Sequence, residues 1–346
     1  MDKSVLIISN PEDEHTARVA AHIRQIGGVP ILFYPEELGH SIVFRSHHDG
    51  AGFPAHQMLV IDGEPLDLSQ VSSIWYRRPR LQPADEEAMS YEGVMFARDE
   101  WKAALEGAYA LLDDKLWVSH PDHLYLAARK PYQLRLAAEL GLRTPRTLIT
   151  NDPDQVRTFF RSCDGQVVVK ATGSGWVYAQ DGDDVYYVLT NRLTLDELDA
   201  DDAIKTSPLT LQEEIAKVYE VRANVVGQQV LAIRIDSQAS PESALDWRRY
   251  DLPHTPYAPY VLPDNIARKC LQLTQRLGLE FGAIDLIRTP MGEYVFLEIN
   301  GNGQFLWAEE HSGVGISAAL ANLLVGNAPA LRSAVFTMEV LYETVE

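Results

Sequence analysis

The sequence is poor in everything that would support a covalent or metal scaffold. Its 346 residues hold two cysteines, Cys163 and Cys270, far apart and without metal-ligand spacing. That argues against a disulfide framework or a zinc site and fits a reducing compartment, the cytoplasm. Basic residues are also scarce: 30 Lys and Arg stand against 49 Asp and Glu, a net charge of −19. A chain this acidic repels nucleic acid and anionic lipid, because binding DNA requires Lys and Arg to neutralise phosphates. No run reaches the roughly 20 apolar residues of a membrane span. Met1–Asn10 reads as a first strand and turn, too short and too soon interrupted for a signal peptide. The familiar nucleotide loops are missing too: there is no GxxxxGK[ST], and no GxGxxG after a strand.

What remains is an ordinary globular composition, 46% hydrophobic and 23% charged, with length enough for two or three lobes. Residues 1–115 alternate strand candidates (Ser4–Ser9, Val29–Tyr34, Gln57–Ile61, Ser73–Tyr76) with helical stretches (Thr16–Ile26, Asp99–Leu112). This predicts a small α/β lobe on a parallel sheet. A helix near Leu124–Leu140 ends at Gly141. A central lobe, residues 116–205, carries a helix over Pro153–Ser162, strands Val167–Lys170 and Val185–Leu189, and an acidic helix and turn at Asp196–Asp202. A C-terminal lobe, residues 206–346, carries strands Leu209–Ile215, Glu220–Val226 and Gln229–Ile235, and helices near Asn265–Gly278 and Ile316–Leu324.

Chemistry concentrates near the end of the chain. Phe281–Ile287 and Tyr294–Asn300 are apolar runs around a Thr-Pro-Met-Gly turn, the pattern of a β-hairpin. With a two- or four-residue loop, Asp285 lies opposite Phe296, and Asp285, Glu298 and Asn300 share a face. Two carboxylates and a carboxamide there are either solvated or need a cation; oxygen ligands suit Mg²⁺ shared with substrate phosphates. A one-residue change in the loop would turn Asp285 to the other side.

Other residues are weaker signals taken singly. Lys170 ends an apolar strand before a loop with two glycines; it either helps close that loop on an anion or is a solvated strand-end charge. Lys130 is a helix charge with the same two readings. Gln212-Glu213-Glu214-Ile215 closes a strand whose backbone can meet an adenine edge. Glu220, Arg222 and Asn224 share a strand face, and Arg234 lies on the next strand, so the arginines either clamp a phosphate or pair with Glu220. Asp246-Trp247-Arg248-Arg249-Tyr250-Asp251 either binds a carboxylate or is a packed loop. Arg77 and Arg78 either face the cleft or pair with acids of the first lobe.

In order, these pieces resemble the ATP-grasp superfamily from about Pro121 to Leu324. Ser73-Ile74-Trp75-Tyr76-Arg77-Arg78-Pro79, Thr147–Asn151, Asp246-Trp247-Arg248 and Asn300-Gly301-Asn302-Gly303-Gln304 extend the likeness to nearly the whole chain. They point to one branch, the graspetide or microviridin-type peptide macrocyclases. The resemblance implies an α+β and α/β architecture, an ATP-grasp fold with an N-terminal α/β pre-ATP-grasp lobe. It implies ATP and Mg²⁺ as cofactors, a ribosomal precursor peptide with a leader as partner, and a homodimer. The activity implied is activation of Asp or Glu side chains as acyl phosphates and their joining to Ser, Thr or Lys as esters or amides. An alternative is a ligase adding free amino acids to a protein or small-molecule carboxylate; a third is a nucleotide-binding protein without turnover.

By resemblance, Lys130 and Lys170 hold ATP phosphates, Glu213 and Ile215 flank adenine, partly through backbone atoms, and Gln212 and Glu214 belong to the same nucleotide-binding segment. Glu220 takes the ribose, and Asp285, Glu298 and Asn300 bind Mg²⁺. Arg222, Arg234 and Arg248 stand near the phosphoryl group and substrate carboxylate. Two departures accompany it. Gly301 stands where proline is common, which implies a looser metal loop, and Ala283-Ile284 precedes Asp285 where an arginine is frequent. Glu298→Gln and Asp285→Asn are expected to abolish turnover with the fold intact. The stretch Val177–Ser207 is a candidate for leader recognition or an ordinary lid.

Overall fold

A computed structural model describes residues 3–48, 50, 56–81, 89–173, 175–178, 185–249 and 253–331. The first lobe runs β1 (Ser4–Ile8), α1 (Glu14–Gln25), β2 (Val29–Phe33), β3 (Ile42–His47), β4 (His56–Ile61), β5 (Glu64–Asp67), β6 (Ser73–Tyr76), α2 (Tyr91–Ala110) and β7 (Leu116–Val118). Strands β2-β1-β6-β7 form the expected parallel sheet, while β3-β4-β5 form a separate antiparallel one. The stretch Gln57–Ile61 therefore belongs to a meander and not to the parallel sheet. Strand β1 is apolar on both faces, as a strand covered on both sides must be. Helix α1 starts where Asp13 caps it, its carboxylate accepting from the His15 N–H.

The single helix expected over Leu124–Leu140 is two: α3 (Pro121–Ala127) and α4 (Lys130–Glu139). Pro131 has no N–H and disfavours helical geometry in the residue before it, so the chain restarts with proline in the first turn. Both helices pack on the C-terminal sheet: Ala127, Leu136 and Ala137 are buried with Leu286, Phe296 and Ile299.

The central lobe adds β8 (Thr147–Thr150), α5 (Pro153–Ser162), β9 (Val167–Lys170), β10 (Trp176–Tyr178), β11 (Val185–Tyr187), β12 (Asn191–Arg192), α6 (Asp201–Thr206) and β13 (Leu209–Glu213). Strand β13, expected in the last lobe, instead pairs with β8 and β9 in the sheet β12-β9-β13-β8. Its apolar residues have two strands of the central lobe to pair with, and the chain crosses between lobes only after Glu213. The Val177–Ser207 stretch spans the β10–β11 hairpin and α6; its residues 179–184 lie outside the described ones.

The last lobe contains β14 (Tyr219–Val226), β15 (Gln229–Ile235), β16 (Tyr257–Tyr260), α7 (Asp264–Arg276), β17 (Phe281–Arg288), β18 (Tyr294–Asn300), α8 (Leu306–Ser312) and α9 (Ile316–Leu324). Strands β16-β15-β14-β17-β18 form an antiparallel sheet. One face, through Val221, Ala223, Ile284 and Leu286, packs on α7 and α4. At about 1.5–3 kcal/mol per fully buried aliphatic side chain, this face is a rigid platform for what the other face carries. Among the described residues no helix is long and apolar enough to cross a membrane.

Candidate active site

The cleft lies between the central sheet and the polar face of β14-β17-β18, and it encloses about 1090 Å³, part of it open to solvent. Ten of the thirteen residues given a role by the resemblance line it: Lys130, Lys170, Gln212, Glu213, Glu214, Ile215, Glu220, Arg248, Asp285 and Glu298.

Asp285 pairs directly with Glu298, not with Phe296. The hairpin loop spans residues 289–293, longer than expected, and a β-bulge interrupts the register between Asp285 and Leu286. Arg288 faces Tyr294 and Leu286 faces Phe296 before the bulge; beyond it Asp285 faces Glu298 and Ala283 faces Asn300. Cross-strand partners share a face, so the two carboxylates and the carboxamide do lie together.

Each of the three side chains already has a neighbour. Asp285, nearly buried, accepts two bonds from Arg222 Nη1 at 2.8 and 2.9 Å. Lys130 Nζ lies 3.8 Å from Glu298 and donates to the Ala171 carbonyl at 2.8 Å. Asn300 Oδ1 accepts from the Asn302 N–H at 2.9 Å. Burial disfavours charge on Glu298, but Lys130, Arg248 and Lys170 outweigh it and hold its carboxyl below the ordinary value of 4.5. Burial, with Arg248 and Lys130 nearby, pushes Lys170 down against the pull of Glu298.

Among the described residues no three His, Cys, Asp or Glu form a metal cluster. The donor set here is two carboxylates and an amide oxygen. It fits a hard cation that completes its shell with phosphate oxygens and water, the habit of Mg²⁺. Arg222 Nε is buried without a partner among the described residues, a donor that an anion could take.

On the opposite wall, Gln212 donates to the Thr147 hydroxyl at 3.1 Å. The carboxylate of Glu213 is turned to Arg146 and that of Glu214 to Arg192, so both side chains are committed to neighbours. Glu220 is buried; burial pushes its carboxyl up, and Lys217, 2.7 Å away, opposes that. Its ion-pair partner is thus Lys217, not Arg222 or Arg234. Arg248 bonds Asp246, Tyr187 and Thr190, and Asp246 accepts from the Thr190 N–H at 3.1 Å. This loop therefore bridges the two walls; Tyr250 and Asp251 lie outside the described residues.

Arg234 does not join the site. It pairs with Val221, whose side chain is in the core on the α7 face, while Arg222 pairs with Asp285. Arg234 packs over the Tyr219 ring, 4.2 Å from its centroid, and bonds Asp236. A strand places neighbours of opposite parity on opposite faces, and that removes it from the cleft.

Nor is the Gly301 loop loose. A Cβ at Gly301 would stand 2.5 Å from Leu124 Cδ2, and one at Gly303 would stand 2.5 Å from Ala283 Cβ and 2.8 Å from Arg222 Nη2. Arg77 follows the second of its two sequence readings, pairing with a first-lobe acid, and neither it nor Arg78 lines the cleft. Arg77 Nε pairs with Asp13, and Arg77 Nη1 and Arg78 Nη2 both donate to the Asn302 carbonyl. Sequence reasoning passed over Asp13, His15 and Lys217. Only the Asp-x-His spacing at a helix start and the Lys-x-x-Glu spacing were there to find.

The lobes, the two-walled cleft and the carboxylate hairpin are those of the ATP-grasp fold. The MvdD pre-ATP grasp domain model matches residues 4–124, and a search of curated proteins finds no match. Solved structures narrow the class. The chain is similar to a RiPP-associated ATP-grasp ligase of Chryseobacterium gregarium, solved in complex with ADP and a leader and core peptide. Identity is 28%, coverage 96% of this chain and 98% of that one, and the TM-score 0.86. It is similar to macrocyclase MdnC of Microcystis aeruginosa MRC, solved with precursor peptide MdnA: 29% identity, 93% and 99% coverage, TM-score 0.82. Macrocyclase MdnB of the same organism gives 28%, 93% and 99%, and 0.76. The chain thus has the ATP-grasp fold with an MvdD-type pre-ATP-grasp domain, and it resembles the peptide maturases of the graspetide type.

Proposed function

We propose that this chain is an ATP- and Mg²⁺-dependent ligase that closes rings in a ribosomal precursor peptide. It joins Asp or Glu side chains to Ser, Thr or Lys as esters or amides. The observation that carries the reading is the pairing of Glu298 with Asp285 on one wall of a cleft that Lys130, 3.8 Å from Glu298, and Lys170 also line. The ADP and peptide bound to the Chryseobacterium ligase support it.

A carboxylate is a poor electrophile because its charge is delocalised. In the first step its oxygen attacks the γ-phosphorus of ATP and the bond to the β-phosphate oxygen breaks, giving an acyl phosphate and ADP. In the second a hydroxyl or amine attacks the acyl carbon, loses its proton, and phosphate leaves. Lys130 and Lys170 would hold phosphates, and Arg222 and Arg248 would face the phosphoryl group and the carboxylate. Asp285, Glu298 and Asn300 would hold Mg²⁺, which when bound neutralises phosphate charge. Glu220, kept in place by Lys217, would take the ribose, and the Gln212–Ile215 backbone the adenine. The Asp246–Arg248 loop joins the walls and would help exclude water from the acyl phosphate.

The same reading makes the protein a cytoplasmic homodimer with a leader-bearing peptide as partner; the net charge of −19 supports a partner other than nucleic acid. The test is mass spectrometry of the neighbouring-gene precursor peptide incubated with protein, ATP and Mg²⁺. Loss of one water per ring is the expected result. An unchanged mass, or a gain matching an added amino acid, would overturn it.

A further inference from the structure

The turn from β18 to α8, residues 300–306, is gripped from the first lobe at two kinds of backbone group. Arg77 Nη1 donates to the carbonyls of Asn302 (2.6 Å) and Gly303 (3.2 Å), and Arg78 Nη2 to that of Asn302 (2.9 Å). His15 Nε2 accepts from the N–H groups of Phe305 (3.1 Å) and Leu306 (3.3 Å). The two grips meet at Asp13: Oδ1 accepts from His15 Nδ1 at 2.8 Å and Oδ2 from Arg77 Nε at 3.0 Å. Because Nε2 accepts, the ring proton sits on Nδ1, facing Asp13, and the imidazole is neutral. Arg77 is 1% exposed, and the His15 ring packs edge-on against Phe305, 4.6 Å between centroids.

The opposite side of the turn meets the cleft. The Gln304 carbonyl accepts from Arg222 Nη2, whose Nη1 pairs with Asp285. The Asn302 N–H donates to Asn300 Oδ1, so the residue that the arginines hold by its carbonyl also orients the Asn300 carboxamide, through the N–H of its preceding peptide.

We propose that Asp13, His15 and Arg77 are positioning residues: a brace from the first lobe that fixes the 300–306 turn and with it the aim of Asn300 at the cation. The inference rests on the proposed reading of Asp285, Glu298 and Asn300. It goes beyond it by giving the first lobe a part in metal and nucleotide binding.

The test compares wild type with His15→Leu, which fills the space without an acceptor, and His15→Gln, whose amide oxygen reaches the Nε2 position. Two quantities are measured: amide hydrogen exchange of nucleotide-free protein, and the Kd for ADP by calorimetry with Mg²⁺ and with EDTA. In His15→Leu, exchange at Phe305 and Leu306 should quicken about tenfold while β14 and β17 stay protected. The Mg²⁺ enhancement of ADP affinity should fall by a similar factor, and His15→Gln should keep both within about twofold of wild type. Unchanged exchange in His15→Leu overturns the brace. So does faster exchange with full Mg²⁺ enhancement, a Gln variant as impaired as Leu, or protection lost throughout the chain. If wild-type ADP affinity ignores Mg²⁺, the proposed function fails instead, and the exchange data still decide whether the brace exists.

Discussion

Asp285 and Glu298 face each other across β17 and β18 only because two one-residue irregularities cancel. A five-residue loop, 289–293, moves the pairing by one place from the simple hairpin, which by itself would turn Asp285 away. The bulge between Asp285 and Leu286 moves it by one more, and parity returns. Phe296 thereby enters the core opposite Leu286, while Glu298 faces the cleft. A bulge beside a candidate active site has this use: it re-aims one side chain and leaves the sheet behind it intact.

The two carboxylates differ in what depends on them. Asp285 is the buried partner of buried Arg222, with side chains 8% and 7% exposed, whereas Glu298 is 33% exposed. Both Asp285→Asn and Glu298→Gln should abolish ATP-dependent phosphate release. Only Asp285→Asn should also lower stability, by about 3 kcal/mol, because it strands a buried guanidinium. An intact fold is thus expected for Glu298→Gln but not for Asp285→Asn. Urea unfolding midpoints of both variants check this; equal midpoints would remove the structural role of the ion pair.

Arg248, in the cleft loop between β15 and β16, and Arg234, on the far face of the sheet, should separate cleanly in function. Arg248→Gln takes a cation from the cleft and a link between its walls, and phosphate release should drop about 100-fold. Arg234→Gln loses a stacking contact on Tyr219 and a half-exposed pair with Asp236; phosphate release should stay within about twofold. Comparable losses in both would mean that Arg234 reaches the reaction after all.

Much of the candidate site was legible because it obeys local periodicity. Lys170 at a strand end, the Glu220–Arg222 alternation and the carboxylate hairpin are all patterns within a few residues. What escaped depends on contacts between distant parts of the chain. Strand β13 looked like the start of a new lobe, yet its partners β8 and β9 precede it in the chain. Arg234 had the right spacing for a clamp, but pairing with Val221 turned it away. The bond from Phe305 to His15 spans 290 residues, and no local pattern reports it.

Acid should weaken the junction of the first and last lobes in two stages. Burial, with Arg77 and Arg78 adding to it, holds His15 below its ordinary 6.5 despite Asp13. The unfolded chain therefore takes up the proton first, so this stability is full above pH 6.5 and is lost as pH falls through it. Burial pushes Asp13 up, but His15 and Arg77 hold it down to about 2 against an ordinary 3.8. Its contribution is present above pH 3.8 and lost as pH falls toward 2. Urea midpoints from about pH 8 to pH 5 should fall in wild type more than in His15→Gln, which cannot titrate there. Parallel curves for the two proteins would contradict the assignment.

The seat of Gly303 gives the sharpest test of how tightly the turn after β18 is set. A methyl group there would meet the Ala283 Cβ at 2.5 Å and Arg222 Nη2 at 2.8 Å. Ala283 is fully buried on β17 and Arg222 is tied to Asp285, so neither neighbour can withdraw as the end of a flexible side chain does. Gly303→Ala should then cost about 2 kcal/mol of overpacking strain and displace Arg222 from Asp285. Gly301→Ala meets the Leu124 Cδ2 terminus first, which a rotamer change can relieve in part, so its cost should be smaller. Unfolding midpoints and ADP affinity with Mg²⁺ should both rank the proteins wild type, Gly301→Ala, Gly303→Ala. If Gly303→Ala matched wild type in both, the turn would have room to move, and the close packing between β17 and the Asn300–Gln304 segment could not be what aims Asn300.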